Sequence, residues 1–288
     1  MKVLVFGSTG QLATEIARRA PGEVNLDIAA RDRADLEVSG ACAALIGEVS
    51  PDAVINAAAC TAVDRAEQEE DRATRINATA PGEMARACAT RGIPLVQVST
   101  DYVFDGSGTA PWRPGDAPAP LGAYGRSKQA GEAAVRASGA AHAILRTSWV
   151  VSAHGSNFVK TMLRLGRERD GLRIVADQLG GPTPAASLAD ACLTVAQVLC
   201  AEPGKSGTYH FAGAPVTSWA GFARAIFDMA GIACAVDDIP TAEYPAPARR
   251  PLNSRLDCSA THAAFGLAQP DWRDGLRDIL TELGETSR

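Results

Sequence analysis

A tyrosine and a lysine four residues apart, Tyr124 and Lys128, form the pair in this chain that is best suited to chemistry. On a helix the two side chains leave from the same face, with Cβ atoms about 5–6 Å apart. An ammonium at that position would stabilise a phenolate and lower the pKa of the tyrosine from about 10 toward neutrality. Upstream, Thr100 adds a hydroxyl that can bind the same substrate oxygen. The pattern predicts that Tyr124 delivers a proton to a carbonyl oxygen.

A glycine turn near the start of the chain indicates where a hydride donor would bind. Gly7-x-x-Gly10-x-x-Ala13 follows a short apolar run and precedes a helical segment. In such a turn a dinucleotide's diphosphate lies on the free N–H groups of the helix N-terminus. The motif alone fits a structural turn about as well, but its place after the first strand favours a dinucleotide site.

The cofactor is expected to be NADPH or NADH, and the end of the second predicted strand leaves the choice open. Arg31 could meet the 2′-phosphate of NADP, whereas Asp32 follows it directly. A solvated loop arginine is an equal alternative. Asp35 and Leu36 are expected near the adenine.

The alternation of strands with helices of 10–18 residues predicts an α/β fold with a Rossmann-like, doubly wound parallel sheet. Ala73 to Thr90 is predicted to be one long helix. After Ser148 the alternation loosens. We therefore expect a dinucleotide-binding domain over 1–150 and a smaller, mainly substrate-binding lobe over 151–288, with an interleaved boundary.

Two further segments are candidates for binding. Small residues after the third predicted strand, Ala57-Ala58-Ala59-Cys60-Thr61, would let a cofactor lie against the backbone. Arg249 and Arg250 lie in a proline-rich loop, where they would either clamp a diphosphate or form a solvated surface pair.

Composition excludes several other classes. The net charge of −5 gives no electrostatic reason to expect nucleic acid or an anionic membrane as a partner. Seven scattered cysteines, and a start without a signal peptide, predict a cytoplasmic protein with reduced thiols. The four histidines have no ligand spacing, so no metal site is predicted.

Taken together, these motifs make the chain resemble the extended short-chain dehydrogenase/reductases, and within them the reductases that complete dTDP-L-rhamnose synthesis. The narrower likeness is carried by five stretches: Gly7 to Leu12, Asn56 to Asp64, Ser99 to Asp105, Arg146 to Trp149, and Pro247 to Pro251 with Asn253-Ser254. It implies NAD(P)H-dependent reduction of the 4-keto group of dTDP-4-dehydro-L-rhamnose, a small-molecule nucleotide sugar.

The resemblance also implies roles for individual residues. Tyr124 matches the proton donor, Lys128 the residue that binds the ribose, and Thr100 the hydroxyl that orients the carbonyl. The cofactor-binding candidates are then Gly7, Gly10, Gln11, Leu12, Arg31, Asp35, Leu36, Ala57, Ala58, Ala59, Cys60, Thr61, Tyr124 and Lys128. The substrate-binding candidates are Thr100, Asp101, Trp149, Asn157, Arg249, Arg250 and Asn253.

The chain departs from this family at the acidic residues that bind magnesium between subunits in some members. Glu15 matches one of them, but Ala186 stands where a second glutamate is expected, and Glu282 and Glu285 do not match convincingly. Magnesium is therefore not expected, and the protein should be a monomer or a metal-independent homodimer. Two alternatives stay open: an epimerase or dehydratase of the same superfamily, and a non-catalytic, cofactor-binding regulatory subunit.

Overall fold

Strands and helices alternate along the first half of the chain in the structure, a computed structural model that describes residues 1–285. The strands are β1 (Lys2–Phe6), β2 (Asn25–Ala29), β3 (Ala53–Asn56), β4 (Leu95–Thr100), β5 (His142–Thr147), β6 (Val150–Val151), β7 (Gly171–Val175), β8 (Leu179–Gly180), β9 (Thr183–Pro184), β10 (Gly207–His210), β11 (Thr217–Ser218), β12 (Ala235–Ile239) and β13 (Asn253–Ser254). The helices are α1 (Gln11–Arg19), α2 (Ala41–Val49), α3 (Val63–Ala66), α4 (Glu70–Thr74), α5 (Ala80–Arg91), α6 (Ala123–Arg136), α7 (Phe158–Glu168), α8 (Ala185–Ala201), α9 (Trp219–Ala230), α10 (Ser259–Phe265) and α11 (Trp272–Leu283).

The largest sheet has six parallel strands in the order β10-β5-β4-β3-β1-β2. The chain moves outward from β1 in one direction to β2 and in the other to β3, so the strand order reverses between β1 and β3. Ligands of open α/β sheets bind at such a switch point, outside the carboxyl ends of the strands. The predicted α/β, Rossmann-like fold is confirmed.

Alternate residues of β1 serve two hydrophobic layers. Val3 and Val5 pack in one cluster with Ile16 of α1, and Leu4 packs in a second cluster with Ile46 of α2. Successive side chains of a strand point to opposite faces, so a continuous apolar run is what a sheet covered on both sides requires.

Two elements from beyond residue 150 belong to this layered sheet. Strand β10 pairs in parallel with β5, and α8 packs against α1 in the first cluster. The remaining C-terminal elements, including α7, α9, α11 and the β7–β12 pair, surround a separate core that contains Phe222 and Trp272.

The predicted continuous helix from Ala73 to Thr90 is wrong in one respect, because the segment is interrupted. Helix α4 ends at Thr74, a π-helical turn spans Arg75–Thr79, and α5 then begins at Ala80. Pro81 has no N–H to donate to the preceding turn and occupies the first turn of α5, where that donor is not needed. The interruption has a consequence for the site, because the π-helical turn carries Asn77.

Within residues 1–285, no helix combines the length and apolar character that crossing a membrane requires.

Candidate active site

A cavity of about 710 Å³ opens at the carboxyl ends of the parallel strands, at the switch point between β1 and β3. Most residues that the sequence singled out line this one cavity. They are Gly7, Gly10, Gln11, Leu12, Arg31, Asp35, Leu36, Ala57, Ala58, Ala59, Cys60, Thr61, Thr100, Asp101, Tyr124, Lys128 and Trp149.

The glycine turn has the geometry that its sequence suggested. Gly7 has a φ of +106°, and a Cβ there would lie 3.3 Å from the backbone nitrogen of Ala58. Gly10 is the extended N-cap of α1, which begins at Gln11. The positive φ and the close approach to Ala58 explain why residue 7 is glycine. The turn leaves the first N–H groups of α1 at the cavity, where they can bind an anion such as a diphosphate.

The side chain of Gln11 is held by protein groups. Its Nε2 donates to the Val150 carbonyl at 3.2 Å, and its Oε1 accepts from Ser152 Oγ and Asn157 Nδ2, each at 2.9 Å. Any contact between Gln11 and a cofactor is therefore expected to come from its backbone.

The small-residue segment after β3 is fixed by a residue that the sequence analysis did not single out. The buried Asn77 binds both backbone groups of Cys60, accepting at 2.8 Å and donating at 3.0 Å, and also donates to Ser127 Oγ at 3.0 Å. It thus ties the segment to α6, which carries Tyr124 and Lys128. Asn77 lies 17 residues from Cys60 on a turn whose π-helical form had no signal in the sequence.

Tyr124 is almost fully buried, and its phenol contacts the Thr100 hydroxyl. Burial raises the pKa of Tyr124 above its ordinary value, and the contact with Thr100 only partly offsets this. The expected lowering of this pKa toward neutrality is therefore not found in the protein alone. The reason is that burial disfavours the phenolate.

Lys128 lies in the same cavity but does not bind Tyr124 directly. Its Nζ donates to the backbone carbonyl of Val98 at 2.7 Å, and its side chain is buried. Burial lowers the pKa of Lys128 to about 8, against the opposing effect of the negative charge of Glu132. The ammonium stays charged at neutral pH, with hydrogen-bonding capacity left for a ligand.

Asp101 places a buried carboxyl group beside the phenol. Its Oδ1 accepts from Thr100 Oγ1 at 3.0 Å, and its Oδ2 has no hydrogen-bond partner among the residues that the structure describes. Burial raises the pKa of Asp101 to about 6, although hydroxyl groups including that of Ser254 stabilise the anion. An unpartnered buried acceptor carries a free-energy cost, so the ionised carboxyl is destabilising at this position.

Trp149 forms an aromatic wall of the cavity in a strained backbone conformation. Its φ is +50°, which is unusual for a large side chain, and its ring stacks on Trp219 with centroids 3.7 Å apart. A Cβ on Gly180 would approach the Trp149 ring to 2.9 Å, so glycine is required beneath it. The stack joins the cavity to α9 of the C-terminal lobe.

Arg31 lies in a cluster of charged side chains, one of which, Arg72, the sequence around Arg31 did not indicate. Arg31 binds Asp35 at 3.0 Å and also contacts Glu37, and Arg72 binds Glu37 at 2.8 Å. All four side chains line the cavity. Arg72 is a second cation at the position proposed for a 2′-phosphate, and nothing in the local sequence pattern indicated it.

Four of the predicted substrate-binding residues do not line the cavity. Asn157 caps α7 and binds Gln11, whereas Asn253 donates to the carbonyls of Ser107 and Ala110. Arg249 is exposed. The fourth residue, Arg250, is partly buried and binds Asp64 at 2.8 Å. The Asp64 carboxylate also accepts from the backbone of Ala248, so it clamps the proline-rich loop onto the segment that follows β3.

A second carboxylate lies beside that of Glu15. It belongs to Glu282, which the sequence spacing did not match to a metal ligand. Single ligand atoms of Glu15, His154 and Glu282 lie within 4.8 Å of one another, and His154 Nε2 is 2.9 Å from Glu15 Oε1. The Arg18 guanidinium lies in the same cluster, 2.7 Å from His154 Nε2 and hydrogen-bonded to Glu282. One fixed positive charge therefore already offsets part of the negative charge of these two carboxylates.

A doubly wound parallel sheet, a glycine turn at its switch point, and a Tyr-x-x-x-Lys helix facing one cavity define an extended short-chain dehydrogenase/reductase. The model of one family, described as the RmlD substrate binding domain, matches residues 1–285, so the chain belongs to that family.

Named relatives agree over nearly the whole chain. A dTDP-4-dehydrorhamnose reductase of Escherichia coli is 41% identical over 297 residues, covering 100% of this chain and 99% of the relative. A crystal structure of such a reductase from Clostridium acetobutylicum has a TM-score of 0.92 and 37% identity, covering 99% of this chain and 100% of that one. The reductase of Bacillus anthracis, solved in complex with NADP, has a TM-score of 0.90 and 35% identity, covering 98% and 99% respectively. The predicted family resemblance is confirmed.

Proposed function

We propose that this protein reduces the 4-keto group of dTDP-4-dehydro-L-rhamnose to dTDP-L-rhamnose with NADPH or NADH. The observation that carries the proposal is the presence of Tyr124, Thr100 and Lys128 in the same cavity as the glycine turn. Full-length relatives with this reductase name, one of them solved with NADP, support the same reaction.

The chain's residues suit the binding of a dinucleotide. The Gly7 turn admits a close backbone approach, and the N–H groups at the start of α1 can hold the diphosphate. Arg31 and Arg72 would face a 2′-phosphate if they exchanged their carboxylate partners Asp35 and Glu37 for it, and their presence supports NADPH as the better donor. When bound, the cofactor supplies the hydride.

The proton side of the reaction belongs to the chain. Thr100 orients the carbonyl oxygen, and Tyr124 donates the proton to it as the alkoxide forms. A developing negative charge on the substrate oxygen favours transfer from a phenol that is otherwise hard to ionise in this buried site. Lys128 would bind the ribose and bring positive charge to the phenolate left behind. Asp101 and Trp149, which both line the cavity, are proposed to hold the sugar.

We further propose that 1–150, together with α8 and β10, form the dinucleotide-binding part, and that the rest of 151–288 supplies the substrate lobe. The proline-rich loop with Arg249 and Arg250 would approach the diphosphate of the sugar nucleotide only if the Asp64 clamp rearranges. Scattered thiols support a cytoplasmic location. The Arg18 charge near Glu15 disfavours a metal ion there, so an assembly, if there is one, would be a metal-independent homodimer rather than a metal-bridged one, and a monomer is the alternative.

The deciding experiment is NADPH oxidation against a panel of nucleotide-linked 4-keto sugars, with the product identified by NMR. We expect turnover with dTDP-4-dehydro-L-rhamnose and formation of dTDP-L-rhamnose. Cofactor binding without turnover of any sugar would instead support a regulatory subunit. A product epimerised or dehydrated without net NADPH consumption would point to the other enzymes of the superfamily.

A further inference from the structure

A buried ion pair lies behind the cavity and plays no part in the steps described so far. Glu132 and Arg146 are 1% and 2% exposed. They form a two-pronged contact, with Arg146 Nε 2.8 Å from Glu132 Oε1 and Arg146 Nη2 2.6 Å from Oε2. Ser99 Oγ also donates to Oε1, at 2.6 Å.

The rest of the guanidinium is also satisfied. Arg146 Nη1 donates to the Pro114 carbonyl at 3.3 Å and lies 3.4 Å from His210 Nε2. The guanidinium carbon is 4.9 Å from the centre of the Phe104 ring. Removing two charges from water is expensive, and an apolar pair of similar volume often serves stability as well or better. A buried pair that apolar residues could replace is a candidate for a role other than stability.

Each member of the pair's network is close in the chain to a residue of the proposed active site. Ser99 directly precedes Thr100, and Glu132 is one helical turn beyond Lys128. Arg146 begins the stretch that ends at Trp149. The network thus connects β4, α6 and β5 at the points where they carry the proposed catalytic and substrate-binding side chains.

The charges around Lys128 show the direction of the effect. Burial disfavours the Lys128 ammonium, and the Glu132 carboxylate opposes that loss. Burial alone would raise the pKa of Glu132, but Arg146 and Ser99 outweigh it and keep the pKa of Glu132 below its ordinary range. The other ionisable groups around the two residues are Tyr124 and Arg136 on α6, Asp101 after β4, Arg146 on β5 and His210 on β10.

Of these groups, His210 adds no charge near neutral pH. Burial, with the adjacent guanidinium of Arg146, lowers the pKa of His210 to about 4. Glu132, one helical turn from Lys128 on α6, is therefore the member of this network that brings negative charge to Lys128.

We propose that Glu132 is a positioning residue whose buried negative charge, one helical turn from Lys128, keeps the Lys128 ammonium charged at the cavity, with Arg146 and Ser99 holding the Glu132 carboxylate in place. The proposal depends on the proposed function only for the catalytic role of the charged Lys128. The charge itself can be measured without cofactor or substrate.

The test is a 13C NMR titration of the lysine Cε signals in the full chain, without ligands. The chain has only four lysines, Lys2, Lys128, Lys160 and Lys205, and a Lys128→Met variant assigns the signal of interest. Glu132→Gln alone would leave Arg146 buried and unpaired, a change that endangers folding. The main variant is therefore the double substitution Glu132→Gln/Arg146→Met, which removes both charges together.

In the wild type Lys128 should titrate near pH 8. In the double variant the midpoint should fall by up to about one pH unit, because the opposite charge of Glu132 is lost. The fall should be smaller than for loss of the carboxylate alone, since the guanidinium of Arg146, a like charge, is removed with it. Glu132→Asp, which keeps the charge but draws it back by one methylene, should move the midpoint in the same direction by less. The matched control is Arg136→Ala, which removes the half-exposed partner of the same carboxylate, 3.3 Å away, and should leave the midpoint unchanged.

The same shift should appear in turnover as an earlier loss of activity with rising pH, because the protonated lysine is the working form. A double variant that folds, as judged by circular dichroism, and titrates at the wild-type midpoint would overturn the proposal and leave the pair a purely structural one. If the double variant does not fold, an unshifted midpoint in Glu132→Asp would overturn the proposal equally. Failure of the wild type to reduce any keto sugar would refute the proposed function and leave this titration standing.

Discussion

Substituting Asp101 by Asn should make the protein more stable and less active, because the wild-type carboxyl is buried with one oxygen unpartnered among the described residues. The native pKa of Asp101 is about 6, raised by burial from an ordinary value of 3.8. Between these two pH values the native state binds more protons at this site than the unfolded state does. Stability contributed by the protonated carboxyl is therefore lost as pH rises through about 6.

The size of the effect follows from that difference. Two pKa units correspond to about 3 kcal/mol of free energy of unfolding, which the wild type forgoes above pH 6. Asn is neutral at every pH and has nearly the same shape, so Asp101→Asn should recover up to about this amount at pH 7, less the cost of burying the amide's N–H groups. In a chain of this size the gain should raise the melting temperature by up to about 5–10 °C. Near pH 4 the advantage should nearly vanish.

The assay is thermal unfolding of both proteins from pH 4.5 to 8. A matched control is Asp105→Asn, since a backbone hydrogen bond from Ser107 lowers the pKa of Asp105, and neutralising that residue should slightly destabilise the protein at pH 7. The Michaelis constant of Asp101→Asn for the sugar nucleotide should rise about tenfold or more, since a hydrogen bond to a charged group is lost. An Asp101→Asn protein no more stable than the wild type at pH 7 would refute the reasoning.

Four further results are expected. Tyr124→Phe should keep cofactor affinity but lower turnover by about 10²-fold or more, the general-acid contribution; near-normal turnover in the folded variant would remove Tyr124 as the acid. Arg31→Ala should reduce a modest preference for NADPH over NADH in steady-state kinetics, and an unchanged ratio would exclude the phosphate contact. Replacing Arg249 and Arg250 together by Ala should raise the Michaelis constant for the sugar nucleotide about tenfold or more, while an unchanged constant would mean that Arg250 serves only its bond to Asp64. EDTA treatment should leave activity intact, and activity lost with EDTA and restored by magnesium would show that the carboxylates beside Arg18 do bind metal.

The parts of the fold and cavity that the sequence predicted are those coded locally. Gly7 and Gly10 lie within one turn, and Tyr124 and Lys128 lie within one helix, so spacing along the chain is already spacing in the structure. Thr100 could be placed with them because the ends of parallel strands share one edge of the sheet.

Features that depend on distant partners were not predictable in the same way. The Arg250–Asp64 bond joins positions 186 residues apart, and the Arg18–Glu282 bond joins positions 264 residues apart. Whether an arginine faces solvent, a ligand or a carboxylate depends on such partners rather than on its neighbours in sequence. The Tyr124–Lys128 spacing predicted a lowered pKa for Tyr124, whereas burial raises it. The depth of burial depends on the whole fold, so the local spacing did not reveal it.

The sixth strand of the parallel sheet has a consequence for how the chain is made. Because β10 ends at His210 and pairs with β5, and α8 covers one face of the sheet, about three quarters of the chain must be synthesised before the sheet is complete. Until then the growing chain carries an open edge at β5 and an uncovered apolar face. A fragment that stops at residue 150 would lack β10 and α8, so its β5 edge and one apolar face of its sheet would stay exposed. We therefore expect it to aggregate rather than to fold as an independent nucleotide-binding domain. A pause in translation before β10 is made would therefore leave an aggregation-prone chain, even though most of the residues proposed to bind the cofactor had already been synthesised.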